Sequence, residues 1–321
     1  MNAASYPGVT PALGGSKIPV VRAAPVHPQA RTEAVAAPAL GLSEKALPPE
    51  LDFKERLQAA ARAGFANLEL SVDNTPQRLS RLEWGPLERR ALRRVQEGTG
   101  VRIESICLSA NRSYPLGSAH EELRVRGQEI IAQTIALACD LQIKLVQIAG
   151  YDTAGAAHGD PSTADSARRF AEGLGQAAAK AEHAGVVLGL ENMDTPFINS
   201  IPKALRYVRE VDSSALRLYP DVGNLCAFHG DPDAELRAGA PYIAALHLKD
   251  TQAVSATYPG RFGGVHFKAG CVPFARVFAC LRELDLKVPL VLEMWYDAGG
   301  DPYEAAAQAC RFVQEGLGAP A

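Results

Sequence analysis

Eight short apolar runs recur along this chain, and one helix fits into the space after each. The runs are LGLS from residue 40, ANLELSV from 66, VRIESICLS from 101, IKLVQIAG from 143, VVLGLEN from 186, LRLYPD from 216, YIAALHLKD from 242 and VPLVLEMW from 288. The intervening segments carry apolar residues at helical spacing: FKERLQAAARAG, LERRALRRVQEGTG, EELRVRGQEIIAQTIALACDL, SARRFAEGLGQAAAKAEHAG, IPKALRYVREV, DAELRAG, FARVFACLRELDL and YEAAAQACRFVQEGL. Gly64, Gly100 and Gly185 stand where a helix C-terminus favours a left-handed residue. Strict alternation of strand and helix predicts a parallel sheet. An open doubly wound sheet normally carries a G-x-G-x-x-G turn after its first strand, and GLSEKALP has none. The predicted fold is therefore α/β, a (β/α)8 TIM barrel, as a single domain over residues 38–318. Such a barrel places its functional side chains at the C-terminal ends of the strands.

Composition narrows the partners. The chain is 47% hydrophobic, enough for a large core, but has no run of about 18 apolar residues, so no membrane partner is expected. A formal net charge of −3 gives no electrostatic reason to expect a nucleic acid. The six cysteines form no C-x-x-C pair, and Cys107 and Cys139 lie in apolar contexts that predict small buried side chains. That usage fits a reducing cytosol and a cytoplasmic protein. Residues 1–37 are rich in Ala, Pro and Gly without a periodic face, which predicts a disordered tail without chemistry. The prolines interrupt the apolar stretch that a cleaved signal needs.

Four strand ends carry residues that a buried strand should avoid. Glu191 ends the fifth run, Asp221 the sixth, His247 the seventh and Glu293 the eighth. Alone, Asp221 reads as a helix cap, His247 as a core histidine, and either glutamate as half of an ion pair. Together, on consecutive strands of one rim, they are expected to ligate one divalent cation: Mg²⁺ or Mn²⁺ by the carboxylates, Zn²⁺ or Co²⁺ with the imidazole. The same rim offers Glu44, Lys45, Ser109, Asn111, Arg112, Gln147, Lys249 and Asp250. Lys45, Arg112 and Lys249 suit a phosphate, or neutralise excess rim carboxylate. Trp84 is expected to pack a helix start, Trp295 to wall the pocket, and ERRALRR to be a solvated face. The substrate-binding set is Lys45, Ser109, Arg112, Asn224, Lys249, Asp250 and Trp295.

EKALP, CLSANRSYPLGS, IAGYD, ENMDTPFINS, YPDVGNL, HLKDT and EMW follow in order from about Gly41 to the last helix. As a set they resemble the L-ribulose-5-phosphate 3-epimerase family of xylose-isomerase-like barrels, which act on pentulose phosphates including L-xylulose 5-phosphate. The resemblance implies a metal held by Glu191, Asp221, His247 and Glu293. It also implies a ketose bound through its C2 carbonyl and C3 hydroxyl oxygens, and a cis-enediolate protonated and deprotonated on opposite faces by the two glutamates. A homodimer or homotetramer is implied too. The chain departs from the family pattern in having Asn111 in place of a histidine, FKAGCVPF in place of FGEGCVDF (at Lys268-Ala269 and Pro273), and TAGAAHGDPS in place of an aromatic pair. Lys268 is a candidate replacement contact to a phosphate. The rival readings are an epimerase or aldose–ketose isomerase acting on an unphosphorylated or six-carbon ketose, a DNA-repair nuclease, and a non-catalytic barrel. A single strand-end histidine and acidic net charge weigh against the nuclease, and the complete quartet weighs against the non-catalytic barrel.

Overall fold

The computed structural model describes residues 39–155 and 158–318, and the tail expected over residues 1–37 lies outside them. All eight runs are strands: β1 (Leu40–Ser43), β2 (Asn67–Val72), β3 (Arg102–Leu108), β4 (Leu145–Ala149), β5 (Val187–Glu191), β6 (Leu216–Leu218), β7 (Leu246–Leu248) and, after an added hairpin of β8 (Asp250–Gln252) and β9 (Arg261–Val265), β10 (Leu290–Leu292). The eight helical patterns are helices, and Gly64, Gly100 and Gly185 follow three of them with φ of 93°, 75° and 64°. Every ladder of the main sheet is parallel, in the order β6-β5-β4-β3-β2-β1-β10-β7. The two edge strands meet through bridges at Leu218–Ile243 and Asp221–His247. Ala244 N–H donates to Leu218 at 2.8 Å and His247 N–H to Pro220 at 2.9 Å across this seam. The fold is a (β/α)8 TIM barrel.

Residues along each strand alternate between two environments, as the period of two requires. Leu68, Leu70, Ile106, Leu108, Val146, Ile148, Leu188 and Leu190 are buried in one cluster with helix residues such as Phe170 and Leu174. A separate small cluster of Leu145, Tyr219, Ala245 and Val291 plugs the barrel interior. The intervening positions carry polar side chains, including Glu69, Ser105, Gln147 and Glu191, all buried. A bulge in β3 adjusts their register: Leu68 pairs with Ile103, but Glu69 pairs with Ser105. Without the extra residue Glu104, two glutamates would face each other.

Three expectations change in the fold. Glu44 is fully buried away from the pocket, where it pairs with Arg56 and Arg81 and accepts from Ser71 N–H at 2.6 Å. Cys139 is exposed, because the apolar residues around it belong to a helix and it lies on the outward face; Cys107 is buried as expected. The β8–β9 hairpin adds a pair of strands in TQAVSATYPGRFGGV, a stretch that shows no alternation. Trp84 packs edge-to-face on Phe53, the first residue of helix Phe53–Arg62, with ring centroids 5.5 Å apart. Among the described residues no helix is long and apolar enough to cross a membrane.

Candidate metal centre and substrate pocket

Glu191 is the last residue of β5, Asp221 follows β6 by three residues, His247 is the middle of β7 and Glu293 is the first residue after β10. All four are buried, and one ligating atom from each lies within 4.8 Å of the others. Asp221 caps a helix with one oxygen and turns the other into the cluster. Its Oδ1 caps helix Val222–Ala227, accepting from Gly223 and Asn224 N–H at 2.8 and 3.1 Å, while Oδ2 lies 2.7 Å from Lys249 Nζ. Asn192 fixes its backbone: the Asn192 side chain accepts from Asp221 N–H at 2.9 Å and donates to the Asp221 carbonyl at 3.0 Å. Asn224 Nδ2 donates to the Asn192 carbonyl at 2.8 Å.

His247 has carboxylates on both sides of its ring. Nδ1 lies 2.6 Å from Glu191 Oε1, and Nε2 lies 2.8 Å from Glu69 Oε2. Glu69 is not among the candidate residues above, although it interrupts NLELSV just as Glu191 interrupts its own run. Gln147 donates to Glu191 Oε2, and Glu293 accepts from Lys249 Nζ at 2.9 Å and Lys45 Nζ at 3.3 Å.

Burial, reinforced by the charges of Glu293 and Asp221, pushes Glu191 up to about 7 against the pull of His247. Burial acts on Glu293 too, but Lys249 and Lys45 overcome it and hold that carboxyl well below its usual range. Four carboxyl groups (Glu69, Glu191, Asp221, Glu293) face two ammonium groups (Lys45, Lys249), so in the ligating state, with every carboxyl ionised and His247 neutral, the cluster has a formal charge of −2. A single divalent cation offsets that charge, and three carboxylates with one imidazole suit Mg²⁺, Mn²⁺, Co²⁺ or Zn²⁺. The residues present fit such an ion.

A pocket of about 390 Å³ opens beside the quartet, and Lys45, Ser109, Arg112, Glu191, Asn224, Lys249, Glu293 and Trp295 all line it. Tyr151, Asp194 and, from the hairpin, Phe262 and Gly263 join them, residues that the substrate-binding set did not include. Arg112 lies 4.7 Å over the Tyr151 ring and pairs with Asp194. Asp250 turns elsewhere: its carboxylate accepts from Thr251, Gly270 and Val272 N–H at 2.9, 2.8 and 3.2 Å and so shapes the following loop. Lys268 Nζ lies 5.4 Å over the Phe312 ring, and Asn111 donates to the Ala149 carbonyl at 2.9 Å. A larger cavity of about 640 Å³ lies at the opposite strand ends, among Arg102, Lys144, Leu145 and Val187, and contains none of the quartet.

Fold and site together define a parallel barrel whose strand ends gather four side chains able to hold a metal ion, and comparison with known proteins agrees on the fold. The family model described as xylose isomerase-like TIM barrel matches residues 57–315. SgbU of Escherichia coli strain K12 is 43% identical over 275 residues, covering 86% of this chain and 95% of SgbU. UlaE of Shigella flexneri, an L-ribulose-5-phosphate 3-epimerase, is 41% identical over 275 residues, covering 86% of this chain and 93% of UlaE. This chain belongs to the L-ribulose-5-phosphate 3-epimerase family, a family of isomerases. Among solved structures, an L-ribulose 3-epimerase shares the fold at a TM-score of 0.67 with 21% identity, covering 87% of this chain and 94% of that one. A D-psicose 3-epimerase from Clostridium cellulolyticum H10 does so at 0.72 with 16% identity, covering 87% and 99%.

Proposed function

We propose that this enzyme interconverts L-ribulose 5-phosphate and L-xylulose 5-phosphate by epimerisation at C3, with Glu191 and Glu293 as its two proton carriers. The observation that supports this reading best is geometric: two buried carboxyl groups from different strands, Glu191 and Glu293, line one pocket and converge with Asp221 and His247 on one cluster. Inverting a carbon through a planar intermediate needs a proton acceptor on one face and a donor on the other. Glu191 and Glu293 supply one carboxyl group each for the two transfers, and their roles exchange in the reverse direction.

Glu191, Asp221, His247 and Glu293 would hold one divalent cation, whose chemistry when bound is to draw electron density from the ketose carbonyl and acidify the C3 hydrogen. Trp295 and Phe262 wall the pocket, and Ser109 and Asn224 offer polar contacts to the sugar. Lys45 and Lys249 are buried against Glu293, whereas Arg112, although paired with Asp194, has a side chain 55% exposed at the pocket, so it is the cation we assign to the phosphate. On the family resemblance we place the enzyme in the cytoplasm as a homodimer or homotetramer.

The test incubates metal-loaded protein with ketopentoses and their 5-phosphates in D2O. Deuterium at C3 with inverted configuration, and faster turnover of the phosphates, is the expected result. Label at C1 alone would assign an isomerase. Absence of exchange with every ketose under Mg²⁺, Mn²⁺, Co²⁺ and Zn²⁺ would sink the proposal.

A further inference from the structure

Behind the quartet lies a carboxylate for which the proposed reaction has no use. Glu69 is fully buried in β2, and both its oxygens are occupied: Oε2 faces His247 Nε2 at 2.8 Å, and Oε1 accepts from Ser105 Oγ at 2.8 Å and Tyr219 OH at 2.7 Å. The surrounding barrel is arranged to bring these donors in. The β3 bulge sets Ser105, not Glu104, opposite Glu69. Gly189 leaves room for Tyr219, because a Cβ there would fall 2.8 Å from the tyrosine Cβ. The Tyr219 ring centroid in turn lies 4.7 Å from that of the imidazole.

Two hydroxyl donors on Oε1, from Ser105 and Tyr219, favour the ionised form of Glu69, which only accepts. The ring nitrogen facing it therefore carries hydrogen. The other nitrogen, Nδ1, is on the quartet side, 2.6 Å from Glu191 Oε1.

We infer that Glu69 is a positioning residue for cation binding: it holds His247 as the Nε2–H tautomer in a fixed ring plane, so that Nδ1 presents its lone pair to the cation. This rests on the metal-centre reading proposed above. A carboxylate that merely fills the barrel would be replaced by an isosteric amide without effect on the ion. A positioning carboxylate would not.

The experiment titrates metal-free, full-length protein with Co²⁺ by calorimetry and by visible absorption. Glu69→Gln, folded by circular dichroism, is expected to bind about 10- to 100-fold more weakly than the native chain, with altered Co²⁺ bands. In the native Zn²⁺-loaded protein, imidazole ¹⁵N shifts should show His247 protonated at Nε2 and coordinated at Nδ1. Tyr219→Phe removes one donor to Glu69 and keeps the ring, so a smaller loss in the same direction is expected; this variant decides the matter if Glu69→Gln does not fold. Native affinity in folded Glu69→Gln, or coordination through Nε2, overturns the inference while leaving the metal centre standing. If Glu69→Gln cannot be folded, native affinity in Tyr219→Phe does the same. Failure of the native chain to bind Co²⁺ overturns both.

Discussion

Asp221 and His247 are bridge partners in the seam that closes the barrel, and both send their side chains into the same buried cluster. The backbone of His247 donates to Pro220, next to Asp221, at 2.9 Å, while Asn192 holds the Asp221 peptide from the β5 side. Barrel closure and assembly of the site are thus one event. Strands β6 and β7 share only isolated bridges, and the polar contacts around Asp221 do there what a full ladder does elsewhere.

The two oxygens of Asp221 can be separated by substitution. Asp221→Asn keeps an oxygen for Gly223 and Asn224 N–H but removes the ligand charge, whereas Asp221→Ala loses the cap as well. Both should bind Co²⁺ weakly. Thermal unfolding of the metal-free proteins should place the alanine variant lower than the asparagine variant by about 1 kcal/mol. Equal midpoints would mean that the cap contributes nothing.

Removing either proposed proton carrier should slow the chemistry more than it weakens binding. Glu191→Gln and Glu293→Gln are each expected to lower kcat by roughly 10²–10⁴-fold, with a much smaller change in KM. Steady-state kinetics on the metal-saturated variants checks this. A near-native rate in either would remove that residue from the mechanism. Chelation should abolish activity, and added Mn²⁺ or Co²⁺ should restore it.

Glu44 supplies a pH signature remote from the pocket. Burial pushes its carboxyl up, but Arg81 and Arg56 together prevail and hold it below its ordinary 4.5. A folded-state value below the unfolded one means its stabilisation is complete above about 4.5 and is lost as pH falls through the lower folded value. Glu44→Gln strands two buried guanidinium groups, at a cost of about 3–5 kcal/mol near neutrality. Urea unfolding at stepped pH should find that gap constant down to about pH 5 and narrowing below it. A gap that widens in acid would contradict the assignment.

Gly189 is needed for space, not for backbone freedom. An alanine Cβ would lie 2.8 Å from Tyr219 Cβ and 3.0 Å from its Cδ1, inside a barrel with no slack. Gly189→Ala should destabilise by about 1–3 kcal/mol. The additional change Tyr219→Ala should not be additive with it, since the clash partner is then gone. A double-mutant cycle by urea unfolding measures the coupling.

The alternation of strand and helix could be read from the chain because it is written in local periodicity: two for the strands, 3.6 for the helices. The quartet could be read because each member breaks or follows an apolar run at or near the C-terminal end of a strand, and burying a charge without a partner is costly. The β8–β9 hairpin could not, since its pairing depends on the barrel mouth beneath it and not on any pattern within TQAVSATYPGRFGGV. Nor could the fate of the remaining carboxylates. Glu44 and Glu69 look alike in sequence, each a charge beside apolar strand residues. Glu44 meets arginines 12 and 37 positions away, whereas Glu69 meets a histidine 178 positions away. That these charges need partners follows from residue type and pattern alone. Only the closed barrel decided which partners they find, because desolvation is a property of the residue, while the compensating donor comes from whichever strand or helix the fold packs against it.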